Sequence, residues 1–140
     1  MIIIKLGGSI ITDKSEYRKF NEKIVENIVK ILKVMNKQMI IIHGGGSFGH
    51  IKSKEFGLPG PVSERTIEGM NIVHNDMVEL NLKISRVFQD NNIYNISLPV
   101  TSAFIISCWK SPEIVLRSLA SGFVFGFLSN IPSTSEKNTT

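Results

Sequence analysis

Two runs of branched aliphatic residues, each stopped by glycines, restrict what this chain can fold into more than any other feature of its sequence. The first is MIIIKLGGS at 1–9 and the second is MIIIHGGGSFGH at 39–50. Each run is short, β-branched and bounded by glycine, which describes a buried strand better than a helix. Glycines in succession oppose both helix and strand, because each loses more conformational entropy on ordering than any other residue. The bare backbone must therefore serve a purpose. In a parallel α/β sheet both glycine turns reach the carboxyl edge, where a turn leading into a helix offers backbone N–H groups and a positive dipole end to an anion. Neither turn has the spacing of a P-loop or of GxGxxG, and either one alone reads as a tight turn. As a pair, accompanied by Lys5, Lys14, His43 and His50, they point to a phosphate site.

Between the runs the hydrophobic period changes. Ile24, Ile28 and Ile31, with Val25, Val29 and Leu32, recur every three or four residues among Glu22, Glu26, Lys30 and Lys33. That spacing predicts an amphipathic helix over 21–36. The segment 9–20 suits a surface loop or small hairpin. A short helix is expected from the triple glycine to about Gly57, followed by a loop over 58–66 with two prolines, suited to a lid. Helical spacing returns over 67–90, with Met70, Val73, Met77, Leu80, Ile84 and Val87 along one side as core residues; the methionines also fit an adaptable apolar pocket. His74 and Asp76 in this helix read as solvated. NIYNISLPV predicts a third strand, SPEIVLRSLASG a helix from Ser111 to Gly122, and FVFGFL a fourth strand. Alternating strands and helices make the fold α/β, a three-layer α/β/α arrangement with a mainly parallel sheet. Residues 1–129 form the folded part. The tail from 130 to 140 has one strongly apolar residue, Ile131, and is expected to be disordered.

Composition excludes several classes. A hydrophobic content of 42% is enough for one core at this length. The net charge of +4 comes from scattered lysines and arginines without a basic block, so no nucleic-acid partner is expected. The single cysteine, Cys108, cannot pair within the chain, and no apolar run approaches membrane-spanning length. The expectation is a cytoplasmic protein with neither a membrane nor a nucleic-acid partner.

The order of these features, a KLGGS strand turn, an amphipathic helix and a strand ending in HGGG, resembles the amino acid kinase superfamily. Within it, ITDK at 11–14 and HGGGSFGH at 43–50, with SLPVTSAF as a further match, resemble the isopentenyl phosphate kinases, with fosfomycin kinases as a rival likeness. The resemblance implies transfer of the γ-phosphoryl group of ATP, with Mg2+, to the small-molecule substrate isopentenyl phosphate in isoprenoid biosynthesis, by an enzyme that is a homodimer. It implies that Lys5, Leu6, Gly7, Gly8, Ser9 and Gly46 bind ATP and that Lys5, Lys14 and His50 act in catalysis. Gly45 and His50 would hold the acceptor phosphate, and Met70 and Val73 would line the prenyl pocket. No metal ligand is implied among these residues. Against them stand plainer roles: a strand-end charge for Lys5, a helix-cap residue for His50, turn geometry alone for Gly44. The family also has a second half carrying the adenine and ribose site. Here the fourth strand runs into SNIPSTSEKNTT instead of a Gly-Asp turn, so the chain reads as the acceptor side of a truncated kinase. The alternative is a non-catalytic remnant that binds small phosphorylated ligands.

Overall fold

The structure is a computed structural model that describes residues 2–99 and 125–130. Strand β1 (Ile2–Leu6) is followed by the short helix α1 (Gly8–Ile11) and the long helix α2 (Glu22–Met35); β2 (Met39–His43) then leads through the triple glycine into α3 (Gly46–Glu55). Helix α4 (Glu64–Asp90) precedes β3 (Tyr94–Pro99), and β4 (Phe125–Asn130) completes the described chain. The sheet order is β1-β2-β4-β3. β1 and β2 are parallel, in a register that sets Ile2 beside Met39 and Leu6 beside His43. β4 is antiparallel to both β2 and β3. Three of the four strands thus point one way and β4 runs against them. It also starts and ends two residues later than the expected FVFGFL and takes in Asn130, which the sequence reading gave to the tail. The expected helix over 111–122, Cys108 and the rest of the tail lie outside the described residues.

Side chains alternate across the sheet as strand geometry requires. Ile4, Leu6, Met39, Ile41 and His43 face inward, toward a core built with Val25, Val29 and Leu32 of α2 and Val73, Met77, Leu80, Ile84, Val87 and Phe88 of α4. The other face carries Ile3, Lys5, Tyr94 and Ile96, all exposed. Among the described residues the helices occupy one face of the sheet; the expected helix over 111–122 is not among them.

Helix α2 keeps the expected bounds within a residue at each end. Its buried stripe is Val25, Val29 and Leu32, while Ile24 and Ile31 of the interleaved aliphatic set are exposed. It stops at Asn36, whose left-handed conformation (φ 45°, ψ 48°) lets its N–H bond back to the Lys33 carbonyl. Helix α4 begins three residues earlier than its apolar spacing suggests. Ser63 and Thr66 cap it reciprocally: the Ser63 hydroxyl accepts the Thr66 N–H at 3.2 Å, and the Thr66 hydroxyl accepts the Ser63 N–H at 2.8 Å. The loop before it is shorter than expected and pinned. Leu58 N–H donates to the Ser53 carbonyl at 2.7 Å, and the Thr66 hydroxyl donates to the Pro61 carbonyl at 3.0 Å. Gly69 allows α3 and α4 to close up, since a methyl group there would run into the Phe56 side chain.

Candidate active site

The two glycine turns meet backbone to backbone. The Gly44 N–H donates to the Leu6 carbonyl at 3.0 Å, carrying the β1–β2 ladder one rung into the turns. Beyond that rung, a methyl group on Gly8 would run into the Gly46 amide and lie 2.8 Å from its Cα and 3.1 Å from the Gly44 carbonyl carbon. Gly46 has φ +50°, and a methyl there would overlap the Thr12 hydroxyl and the Gly8 carbonyl. Bare backbone is therefore required by contact between the turns themselves, whatever else they bind.

Thr12 fastens the junction. Its hydroxyl donates to the Gly8 carbonyl at 2.7 Å and accepts the Ser47 N–H at 2.9 Å, so one buried oxygen holds both turns. Met77 of α4 supports the second turn from beneath: its sulfur would lie 2.8 Å from a methyl on Gly45 and 3.6 Å from one on Gly49. Gly7 and Gly45 are the caps of α1 and α3. The first N–H groups of both helices, on Gly8, Ser9 and Gly46, precede any intrahelical bond and so are available in principle to an anion. The Ser47 hydroxyl beside them is buried with no hydrogen-bond partner among the described residues.

The expected charged residues flank this junction. Lys5 is exposed on the outer face of β1, beside Ile42 and two residues before Gly7. His50 is exposed on the second turn of α3, and Lys14 is exposed on the loop after Thr12. Leu6 is buried at the end of β1, and Ser9 is exposed on α1. Val73 is fully buried on α4, one turn before Met77, whereas Met70 is only half-buried.

His43 does not flank the junction; it is a core residue. It is completely buried, with Nε2 3.4 Å from the Asn81 side-chain oxygen and Nδ1 3.3 Å from the Gly44 carbonyl. Both neighbours are acceptors, and burial pushes the imidazole pKa down, which favours a neutral ring with a single N–H. Asn81 in turn donates to the Ser97 hydroxyl, and Asn95 donates to that of Ser85, forming a polar seam between α4 and β3.

Asp76 also corrects the sequence reading, since it is 4% exposed and not solvated. Its carboxylate accepts the Tyr17 hydroxyl at 2.5 Å and lies 3.5 Å from Arg18 Nε, while Arg18 also pairs with Glu79. These contacts tie the hairpin loop 13–19 to α4. At its base the loop is closed by a Thr12–Phe20 bridge and by the Asp13 N–H donating to the Lys19 carbonyl at 2.9 Å. Within it the Asp13 carboxylate accepts the Ser15 N–H and hydroxyl, which hold its pKa below the usual carboxylate value. Sequence reasoning missed Thr12 and Asp76 as structural members of this region. Thr12 lies inside the ITDK motif, but its hydroxyl gains meaning only when residues 46–47 arrive beside it.

The profile of the amino acid kinase family matches residues 1–130. The chain belongs to the amino acid kinase family. Among its relatives, the isopentenyl phosphate kinase of Thermoplasma acidophilum is 45% identical over 102 residues, which cover 73% of this chain and 42% of that protein. The isopentenyl phosphate kinase of Methanothermobacter thermautotrophicus is 32% identical over 112 residues and is likewise covered to 42%. A crystal structure of the T. acidophilum enzyme as a product complex is similar with a TM-score of 0.69 at 33% identity, over 93% of this chain and 61% of that one. A substrate complex of an isopentenyl phosphate kinase gives a TM-score of 0.61 at 47% identity, over 64% and 38%. This amino acid kinase chain thus has the α/β fold of the family and spans less than half the length of the curated relatives it matches.

Proposed function

We propose that this chain provides the acceptor and phosphate-binding part of a kinase that transfers the γ-phosphoryl group of ATP to isopentenyl phosphate. A phosphate oxygen of the acceptor attacks the γ-phosphorus, the bond to ADP breaks, and isopentenyl diphosphate forms. The observation that supports this most is the joining of two glycine turns by the single Thr12 hydroxyl, which puts two helix starts side by side. Donor and acceptor are both anions, so such a reaction depends on holding them in line and neutralising their charge.

In this reading Lys5 contacts the ATP phosphates, supported by Leu6, Gly7, Gly8, Ser9 and Gly46. Gly45 and His50 bind the acceptor phosphate, and Lys14 neutralises the transferring group. Met70 and Val73 receive the prenyl chain. Among the described residues no group of three or more His, Cys, Asp or Glu could hold a metal. Magnesium enters the reading as the companion of the ATP phosphates. The reading includes a homodimer and a cytoplasmic setting; no helix among the described residues is long and apolar enough to cross a membrane.

Titration calorimetry of the chain with isopentenyl phosphate and with fosfomycin tests the reading. Binding of isopentenyl phosphate, weakened by about 1.5–3 kcal/mol in His50→Ala through loss of a charge-assisted hydrogen bond, is the expected result. Preference for fosfomycin would overturn it. Because the chain spans 42% of the curated relative, the 140 residues alone are expected to bind without turning over. Turnover with ATP and magnesium that vanishes in Lys5→Ala would instead mean that a second copy completes the site.

A further inference from the structure

Lys14 lies between two anchor points of the same loop. Upstream, Thr12 is hydrogen-bonded to both glycine turns. Downstream, Tyr17 and Arg18 are held by Asp76 and Glu79 of α4. Asp76 directly precedes Met77, whose sulfur supports the triple-glycine turn, so both anchors refer the loop to one place.

The second anchor is built with some care. Arg18 has φ 59°, a left-handed conformation that a residue with a side chain adopts only at a cost, so its surroundings must hold it there. The Lys52 ammonium of α3 stands 5.2 Å from the centre of the Tyr17 ring, so the tyrosine touches both helices that flank the site. Burial and the neighbouring Asp76 carboxylate push the Tyr17 pKa up to about 12, so the phenol remains a donor across the whole working pH range.

We propose that Tyr17 and Asp76 are positioning residues for Lys14: the Tyr17–Asp76 hydrogen bond, backed by Arg18, fixes the loop so that the Lys14 ammonium is presented to the phosphates above the glycine turns. The inference rests on the function proposed above and deepens it. It assigns to two side chains a role exerted through a third.

A double-mutant cycle on the full chain tests it, with isopentenyl diphosphate as the probe because that product carries the transferred group. Tyr17→Phe is the primary variant, since it removes one hydroxyl and keeps the ring; Asp76→Asn, which keeps an acceptor oxygen, is the conservative companion. Tyr17→Phe is expected to weaken binding about fivefold with Lys14 present and less than about twofold in a Lys14→Ala background, the non-additivity typical of coupled residues. Asp76→Asn should lose less than Tyr17→Phe. Hydrogen exchange should accelerate in residues 13–19 and stay unchanged in α4. Unchanged affinity in Tyr17→Phe while Lys14→Ala weakens binding would overturn the positioning role and leave the proposed function standing. So would an equal loss in both backgrounds, or exchange that rises throughout the chain. No binding by the parent chain, or no effect of Lys14→Ala, would overturn the role proposed for Lys14 and this inference with it.

Discussion

The two glycine turns begin from partnered positions, Leu6 and His43, and then diverge. In the first turn only Gly8 is crowded. Gly7 has φ −64° and ψ 134°, ordinary extended backbone, and a methyl there would come no closer than 3.8 Å to the Ile10 side chain. In the second turn all three glycines are hemmed in: Gly44 by the Gly8 nitrogen at 3.0 Å, Gly45 by Met77, and Gly46 by Thr12 and Gly8. The first turn leans on one neighbour, whereas the second is enclosed by the first turn, by α4 and by Thr12. Adjacent glycines thus serve different ends, and a run of identical letters in the sequence hides which of them the fold requires.

Substitution separates these cases. Gly46→Ala should have the largest effect, because it combines a left-handed backbone with overlap against Thr12 and the Gly8 carbonyl; a loss of about 3 kcal/mol or more in urea unfolding is expected. A loss below that of Gly45→Ala would break the contrast, since the Met77 side chain facing Gly45 can move aside. Thr12→Val comes next. It keeps the shape, and the Gly8 carbonyl retains the Thr12 N–H at 3.0 Å, but the Ser47 N–H loses its acceptor, costing about 1–3 kcal/mol by the same measurement.

A pH effect distinguishes the turns in another way, because only the second begins from a titratable residue. His43 has its pKa lowered by burial in the folded chain, so the unfolded chain binds the proton more readily. Its stabilising contribution is full above the unfolded imidazole value of about 6.5 and is lost as pH falls below it toward the folded value. Unfolding at a series of pH values should show this acid loss, and His43→Gln should remove that part of the slope. Gly7→Ala should do least: its backbone suits alanine, and restricting the unfolded chain could raise stability by about 0.4–1 kcal/mol. A clear loss in melting experiments would mean that the first turn is as constrained as the second.

The elements with strong periodicity were legible in the sequence. β1, β2, α2 and most of α4 follow from local spacing, because each buries one face against a single core. Three kinds of feature were not legible. The direction of β4 depends on the path of the chain before it, which no local pattern encodes. The early start of α4 comes from Ser63 and Thr66, two hydroxyl residues in a segment whose prolines and glycine dominate its reading as a loop. The burial of Asp76 depends on Tyr17 and Arg18, which lie almost sixty residues away, so a carboxylate on a helix naturally reads as solvated. The glycine turns were read as an anion cradle, yet nothing in the sequence indicated that they also pack on each other.

That packing has a consequence for how the protein is made. Thr12 and Ser47 are 35 residues apart, and Tyr17 and Asp76 are 59 apart. Helices can form while the chain is still short, but contacts of such separation must first close long loops at an entropic cost. The first glycine turn has local hydrogen bonds of its own, from Ile10 and Ile11 to the Gly7 carbonyl and from Thr12 to that of Gly8. Its packing against the second must wait until the second has been synthesised and brought beside it. The Lys14 loop gains its far anchor only after most of α4 has followed. On a ribosome the region proposed to hold phosphates waits for α4, although its first residues are among the earliest to emerge, and the pairing of β4 with β2 and β3 waits for a still later stretch of chain.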